Sequence, residues 1–173
     1  GGTSGIGLET ANYLLEKNYK VIICGRRNIE VKGIISIKAD IRSDESVKKL
    51  QFEVQKKYGD INALVYSAGI TSNKKSIVDF NEKTLHDVFN TNVTGLLRVL
   101  KYFFLNLQKT KGKVAVVNSL AARNYSKFSG IEYTASKAAL CGIVRQLAIE
   151  WSGQGVFINS VFPSMTLTPM LKK

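Results

Sequence analysis

Gly1-Gly2-Thr3-Ser4-Gly5-Ile6-Gly7 opens the chain and runs straight into helical apolar spacing at Ile6, Ala11, Leu14 and Leu15. Glycines at this density allow a tight turn between a strand and a helix. They also let the backbone approach a pyrophosphate, whose charge the first N–H groups of the helix would meet. A strand should feed such a turn. Neither a strand nor a methionine precedes Gly1, so the chain is expected to be a piece whose first strand is missing. After the helix comes a buried-type strand, Val21 to Cys24, ending in Gly25-Arg26-Arg27. In a dinucleotide-binding unit an acid at this strand end would hold ribose hydroxyls, whereas arginine suits a 2′-phosphate. Arginines stand there and no acid does, which favours NADP(H) over NAD(H).

The rest of the chain keeps alternating strand and helix. Asn28 to Lys32 is too short for a crossover helix, so a turn or a shortened helix must lead to the strand Ile34 to Ala39, which ends at Asp40. Ser43 reads as the N-cap of a helix to about Tyr58, with Val47, Leu50 and Val54 on one face. Ile61 to Tyr66 is the next strand and carries Ser67-Ala68-Gly69 at its end. A long helical pattern then spans Glu82 to Leu107, with Val88, Leu96, Leu97, Leu100 and Phe104 as its apolar face. Asn92 and Gly95 interrupt it. Glycine inside a helix costs up to about 1 kcal/mol, and asparagine offers the backbone competing hydrogen bonds, so a purposeful irregularity is expected there.

Val114 to Val117 delivers Asn118 and Ser119, a helix carrying Tyr133 and Lys137 runs to about Trp151, and Val156 to Phe162 ends in Pro163-Ser164 before Thr166 and Thr168. Near-continuous apolar strands alternating with helices define an α/β chain with a Rossmann-type, doubly wound parallel sheet. Residues 1–173 read as a single domain, truncated at both ends. Such sheets bind ligands at the carboxyl ends of their strands. Arg26, Asp40, Ser67, Ser119 and Thr168 all follow such ends.

Composition narrows the function classes. The net charge of +12 comes from lysines scattered over helices and loops, with no basic cluster interleaved with aromatics, so no nucleic-acid partner is expected. The two cysteines, Cys24 and Cys141, lie in apolar stretches and read as core filler in a reducing compartment, with no spacing for a metal. No apolar run approaches the ~20 residues that span a bilayer, and no signal peptide opens the chain; it reads as cytoplasmic, without a membrane partner.

The chemistry points to Tyr133-Thr-Ala-Ser-Lys137. The ends of this stretch lie about one helical turn apart, so both side chains share a face. An ammonium near a phenol favours the phenolate and should lower its pKa towards working pH. Such a tyrosine can pass a proton to or from an alcohol or carbonyl oxygen. Tyr13 and Lys17 match the same spacing by chance; context separates the two pairs.

Taken together these residues resemble the short-chain dehydrogenase/reductase family. Gly1, Gly5 and Gly7 match its cofactor turn, Asp40 its adenine-side acid, and Ser67-Ala68-Gly69 the tail of its Asn-Asn-Ala-Gly element, with Tyr66 and Ser67 in place of the asparagines. Asn92, Ser119, Tyr133 and Lys137 match its catalytic set, and Pro163 to Thr168 its segment beside the nicotinamide, with Ser164 replacing a glycine. The resemblance assigns to the cofactor Thr3, Ser4 and Ile6 of the turn, Ile41 beside Asp40, Arg26, Ala68, Gly69, Pro163, Thr166 and Thr168, together with Tyr133 and Lys137. The serine-to-tyrosine spacing of fourteen is one more than is common, and the stretch after Arg27 is shorter than usual, exposing the adenine side.

The resemblance implies hydride transfer between a nicotinamide and a carbonyl or secondary alcohol. Tyr133 would be the general acid or base, with Lys137 lowering its pKa and holding the nicotinamide ribose. Ser119 would bond the substrate oxygen, and Asn92 would help hold a water that links the lysine to solvent. It further implies a homodimer or homotetramer, and a small-molecule substrate. An anionic one, such as a 3-oxoacyl thioester on an acyl carrier protein or a nucleotide-linked sugar, would suit the charge. The alternative is a non-catalytic nucleotide-binding or regulatory protein on the same fold, which would predict erosion of the four-residue set. Because the missing strand would be a central one, residues 1–173 expressed alone are expected not to fold cooperatively; a sharp, reversible thermal transition would refute this.

Overall fold

The computed structural model describes residues 1–171. Helix α1 (Gly5–Glu16) leads to strands β1 (Val21–Gly25) and β2 (Ile34–Lys38), then α2 (Asp44–Tyr58) and β3 (Ala63–Tyr66). Helices α3 (Glu82–Phe89) and α4 (Gly95–Thr110) follow, then β4 (Lys113–Val117), α5 (Ile131–Ser152) and β5 (Phe157–Val161). All strand pairings within the sheets are parallel, as expected, with β1 beside β2 and β3–β4–β5 side by side. The strands form two sheets, one of two strands and one of three. Gly1 lies where they approach each other: its backbone nitrogen donates to the Cys24 carbonyl at 3.0 Å, and a Cβ on it would fall 2.2 Å from the Ala68 nitrogen. The β1–β2 connection contains no helix among the described residues, only a turn closed by a bridge between Val31 and Ile34.

Strand residues alternate between two cores, as the pleat requires. Val21, Ile23 and Ile34 pack with Ala11, Leu14 and Leu15 of α1 on one face. Ile22, Cys24, Ile35 and Ile37 face the larger core, where α2, α4 and α5 supply Val47, Leu50, Leu100, Leu107, Leu140 and Trp151. The β1–β2 pair is thus covered on both faces. On β3–β5 the face away from the large core carries Val65, Phe157 and Val161, all exposed among the described residues.

Local signals fix the helix ends. Ser43 caps α2 by accepting from the Ser46 N–H at 3.2 Å, with Asp44 and Glu45 in the first turn and Lys56 and Lys57 in the last, each sign complementing the helix dipole. Asn81 caps α3 in the same way. The irregularity expected at Asn92 is a π-turn, Asn90–Thr94, between α3 and α4. Beyond it, one sequence-based expectation is corrected. Leu97, assigned to the apolar face, is 43% exposed, while Leu96, Val99, Leu100, Phe103 and Leu107 are buried. At about 100° per residue, Leu96, Val99, Leu100, Phe103 and Leu107 share one arc of α4, and Leu97, one step past Leu96, falls outside it.

Candidate active site

The carboxyl ends of the strands open onto a cleft of about 940 Å³. Every residue assigned above to catalysis or to the cofactor lines it except Gly7 and Asn92. Gly7 has a packing role: a Cβ there would fall 2.0 Å from the Gly1 carbonyl oxygen, so the turn closes only without one. Ser4 stands at the N-cap of α1 in extended backbone, but its side chain makes no cap bond. The first N–H groups of α1 are therefore uncapped by Ser4 beside a cleft that Gly5 and Ile6 also line.

At the β1–β2 end, Arg26 is exposed on the cleft, whereas Arg27 does not line it. Asp40 is engaged by a residue that the sequence reading missed. The Arg42 guanidinium grips its carboxylate with Nη2 at 2.6 Å and Nε at 3.0 and 3.1 Å, and the Arg42 N–H adds a bond of 3.0 Å. That hydrogen bonding holds the Asp40 carboxyl below the usual carboxylate range, with Arg26 acting in the same direction. A carboxylate followed two positions later by an arginine was the available signal. Cys24, expected as core filler, also lines the cleft, because it sits at the strand end where one edge of the core gives way to the opening.

At the β3–β5 end, Tyr133 and Lys137 project from one face of α5 as their spacing requires, with Lys137 Nζ 5.6 Å from the Tyr133 ring centroid. Lys137 is only 5% exposed and its ammonium donates to the Val117 carbonyl at 2.9 Å. Burial lowers its pKa to about 8. The phenol moves the other way: burial raises the Tyr133 pKa above its ordinary value, and the hydrogen bond with the Ser119 hydroxyl acts against that without reversing it. The expected lowering by Lys137 is thus not found. Both groups are removed from water, and desolvation favours the neutral form of each. Ser119 ends the β4 segment, and its hydroxyl accepts from the Ala121 N–H at 3.2 Å, which leaves its own proton free to donate.

Asn92 is fully buried and ties this end together. Its Oδ1 accepts from the Ile70 N–H at 2.8 Å, while its Nδ2 donates to the Ile70 carbonyl at 3.0 Å and the Ser136 hydroxyl at 2.9 Å. Ser136 in turn donates to the Tyr133 carbonyl at 2.7 Å. Ser136, unnoticed in the sequence, is the link between asparagine and tyrosine; its place one turn after Tyr133 was the signal. Pro163, whose carbonyl accepts from the Leu120 N–H at 3.1 Å, Thr166 and Thr168 close the remaining side. A Cβ on Gly5 would lie 3.3 Å from the Thr168 side chain, which places this segment over the start of α1.

The arrangement sets a proton-bearing phenol and a hydroxyl donor side by side at one end of a long cleft, with an open helix N-terminus and an arginine towards the other. The chain as a whole is similar to known proteins. The family model for short chain dehydrogenase matches residues 1–173. A 3-oxoacyl-[acyl-carrier-protein] reductase, MabA of Mycobacterium avium, is 30% identical over 99% of this chain and 67% of its own length. Ipsdienol dehydrogenase of Ips pini is 28% identical over 100% of this chain and 75% of its own. The solved structure of ElxO with NADP bound superposes with a TM-score of 0.91 at 26% identity, covering 99% of this chain and 74% of that one. With cleft, strand order and family match in agreement, the chain belongs to the short chain dehydrogenase family, an oxidoreductase family.

Proposed function

We infer that this protein is an NADP(H)-dependent oxidoreductase that interconverts a carbonyl and a secondary alcohol, with Tyr133 as general acid and base. The observation that carries the reading is the pairing of Tyr133 with the Ser119 hydroxyl on one cleft, above a buried Lys137. The residues present fit the cofactor. The uncapped start of α1 suits its pyrophosphate, Arg26 suits a 2′-phosphate, and Lys137 has ammonium hydrogens left for a ribose after bonding Val117. The likeness to ElxO with NADP bound supports the same choice.

NADPH, when bound, supplies the hydride to the carbonyl carbon. Tyr133 donates its proton to the carbonyl oxygen, and takes one back from the alcohol in the reverse direction. Burial keeps the phenol protonated, which suits it to the reductive direction. Ser119 donates a hydrogen bond to the same oxygen and offsets the charge developing there. Lys137, with a pKa of about 8, remains mostly protonated near neutrality. Asn92 fixes the first turns of α5 through Ser136 and helps hold the water that would link Lys137 to solvent. Among carbonyl classes, a 3-oxoacyl thioester is supported by the likeness to the Mycobacterium avium reductase and by the net charge of +12. The site belongs to one dinucleotide-binding unit over residues 1–173. A homo-oligomer is supported by exposed Leu97 and Leu105 on α4 and Ile149 on α5.

Three outcomes follow from this reading. Tyr133→Phe should keep NADPH binding but lose about 10²–10⁴-fold in turnover of a ketone such as acetoacetyl-coenzyme A; retention of more than about a tenth of the rate would sink the assignment. Fluorescence titration should show NADPH bound more tightly than NADH, and the opposite preference would remove the role given to Arg26. The last outcome concerns stability. Lys137 has a folded pKa of about 8 against 10.5 for a free lysine, so between those values the unfolded chain holds a proton that the folded one has released. Stability contributed by this group therefore rises with pH across that window, by on the order of 3 kcal/mol, and is constant below it. Urea unfolding of Lys137→Met across the same pH range should lack that rise; an identical profile in both proteins would contradict it.

A further inference from the structure

Tyr66 ends β3 with its side chain only 4% exposed, and its hydroxyl donates to the Thr91 carbonyl at 2.7 Å. That carbonyl has lost its helical partner. In an α-helix the Gly95 N–H would bond to Thr91, but here it bonds to the Asn90 carbonyl, one residue further back, because the turn between them is π-wound. A buried carbonyl left without a donor is costly, and the phenol supplies the donor that the π-turn takes away. Burial raises the pKa of this phenol above its ordinary value, so it keeps its proton. The fit is mutual. A Cβ on Gly95 would fall 2.7 Å from the Tyr66 oxygen and 2.9 Å from Ile41 Cδ1, so the glycine makes the room that the ring uses.

The π-turn sets the direction of Asn92, whose carboxamide reaches both Ile70 and Ser136, and Ser136 holds the Tyr133 carbonyl. We propose that Tyr66 is a positioning residue for this connection: its phenol secures the π-turn by taking up the orphaned Thr91 carbonyl, and so holds Asn92 against the loop after β3 and the first turn of α5. The effect on turnover rests on the reading of Tyr133 as proton donor; the geometric claim stands apart from it.

Tyr66→Phe removes only the hydroxyl, and amide hydrogen exchange of the full-length gene product, read at Ile70, tests the connection without a substrate. The Ile70 amide should exchange about five- to tenfold faster in Tyr66→Phe, the scale of one supported hydrogen bond. Asn92→Ala should speed it at least as much, and the double variant no further than Asn92→Ala alone. With NADPH and acetoacetyl-coenzyme A, kcat should fall in Tyr66→Phe while KM and the NADPH Kd stay unchanged, and the loss should disappear in the Asn92→Ala background. An unchanged Ile70 amide in Tyr66→Phe, or additive effects in the double variant, overturns the proposal. If Tyr66→Phe does not fold, Gly95→Ala, whose methyl displaces the phenol oxygen, is read in the same way. Full turnover by Tyr133→Phe would overturn the functional reading instead, and leave the exchange result to decide this one.

Discussion

The cleft depends on one buried carboxamide. Asn92 is 0% exposed, and its two polar atoms satisfy three partners on two other segments of the chain. Each such group would cost about 1–3 kcal/mol if buried without a partner, so the three segments are held to one mutual arrangement rather than free to slide. The loop after β3, the junction of α3 and α4, and the start of α5 are these segments. They carry Gly69, Asn92 and Tyr133 respectively. A Cβ on Gly69 would approach Asn92 Oδ1 to 3.3 Å and Lys137 Nζ to 3.9 Å, which shows how closely the backbone must pass.

Lys137 is the counterweight. Its ammonium sits against a single carbonyl acceptor, with burial pressing it towards the neutral form. Nothing in packing requires a lysine there, and an apolar side chain would avoid the desolvation cost altogether. A fold that keeps a costly group beside an ordered polar network is spending stability on position, as functional sites commonly do. The surrounding apolar residues, among them Leu96, Leu140 and Val116, are the rigid frame that makes the position hold.

Most of this frame was legible in the sequence. Strand positions followed from apolar runs bounded by glycine, acid or proline, and the Ser43 cap and the Val47, Leu50 and Val54 stripe came from rules local to one helix. The Tyr133 and Lys137 face was legible for the same reason. What failed depended on three-dimensional context. Leu97 was misplaced because the core covers a narrower arc of α4 than the run of leucines suggested, and the Tyr66 bond to the Thr91 carbonyl joins residues 25 apart that no local rule pairs. Arg42 was overlooked because its grip on Asp40 depends on the turn between them. The direction of the Tyr133 shift was misjudged because spacing reveals a neighbouring charge but not the burial of both partners, and burial decides which of the two influences wins.

The far end of the cleft follows a different electrostatic logic. The Asp40–Arg42 pair is a third to nearly half exposed, so its net worth to stability is about 0–1 kcal/mol despite four short contacts. Its larger effect is on what the surface offers a ligand. An acid that is already doubly bonded to a guanidinium has few free lone pairs for hydroxyls, and with Arg26 alongside, one carboxylate faces two guanidiniums. The local balance is therefore positive although an acid stands in the middle of it. Arg26 is exposed on the cleft beside this pair, and the pair itself is only weakly held. Charge scattered over the whole surface could not have indicated this; two side chains at adjacent strand ends do.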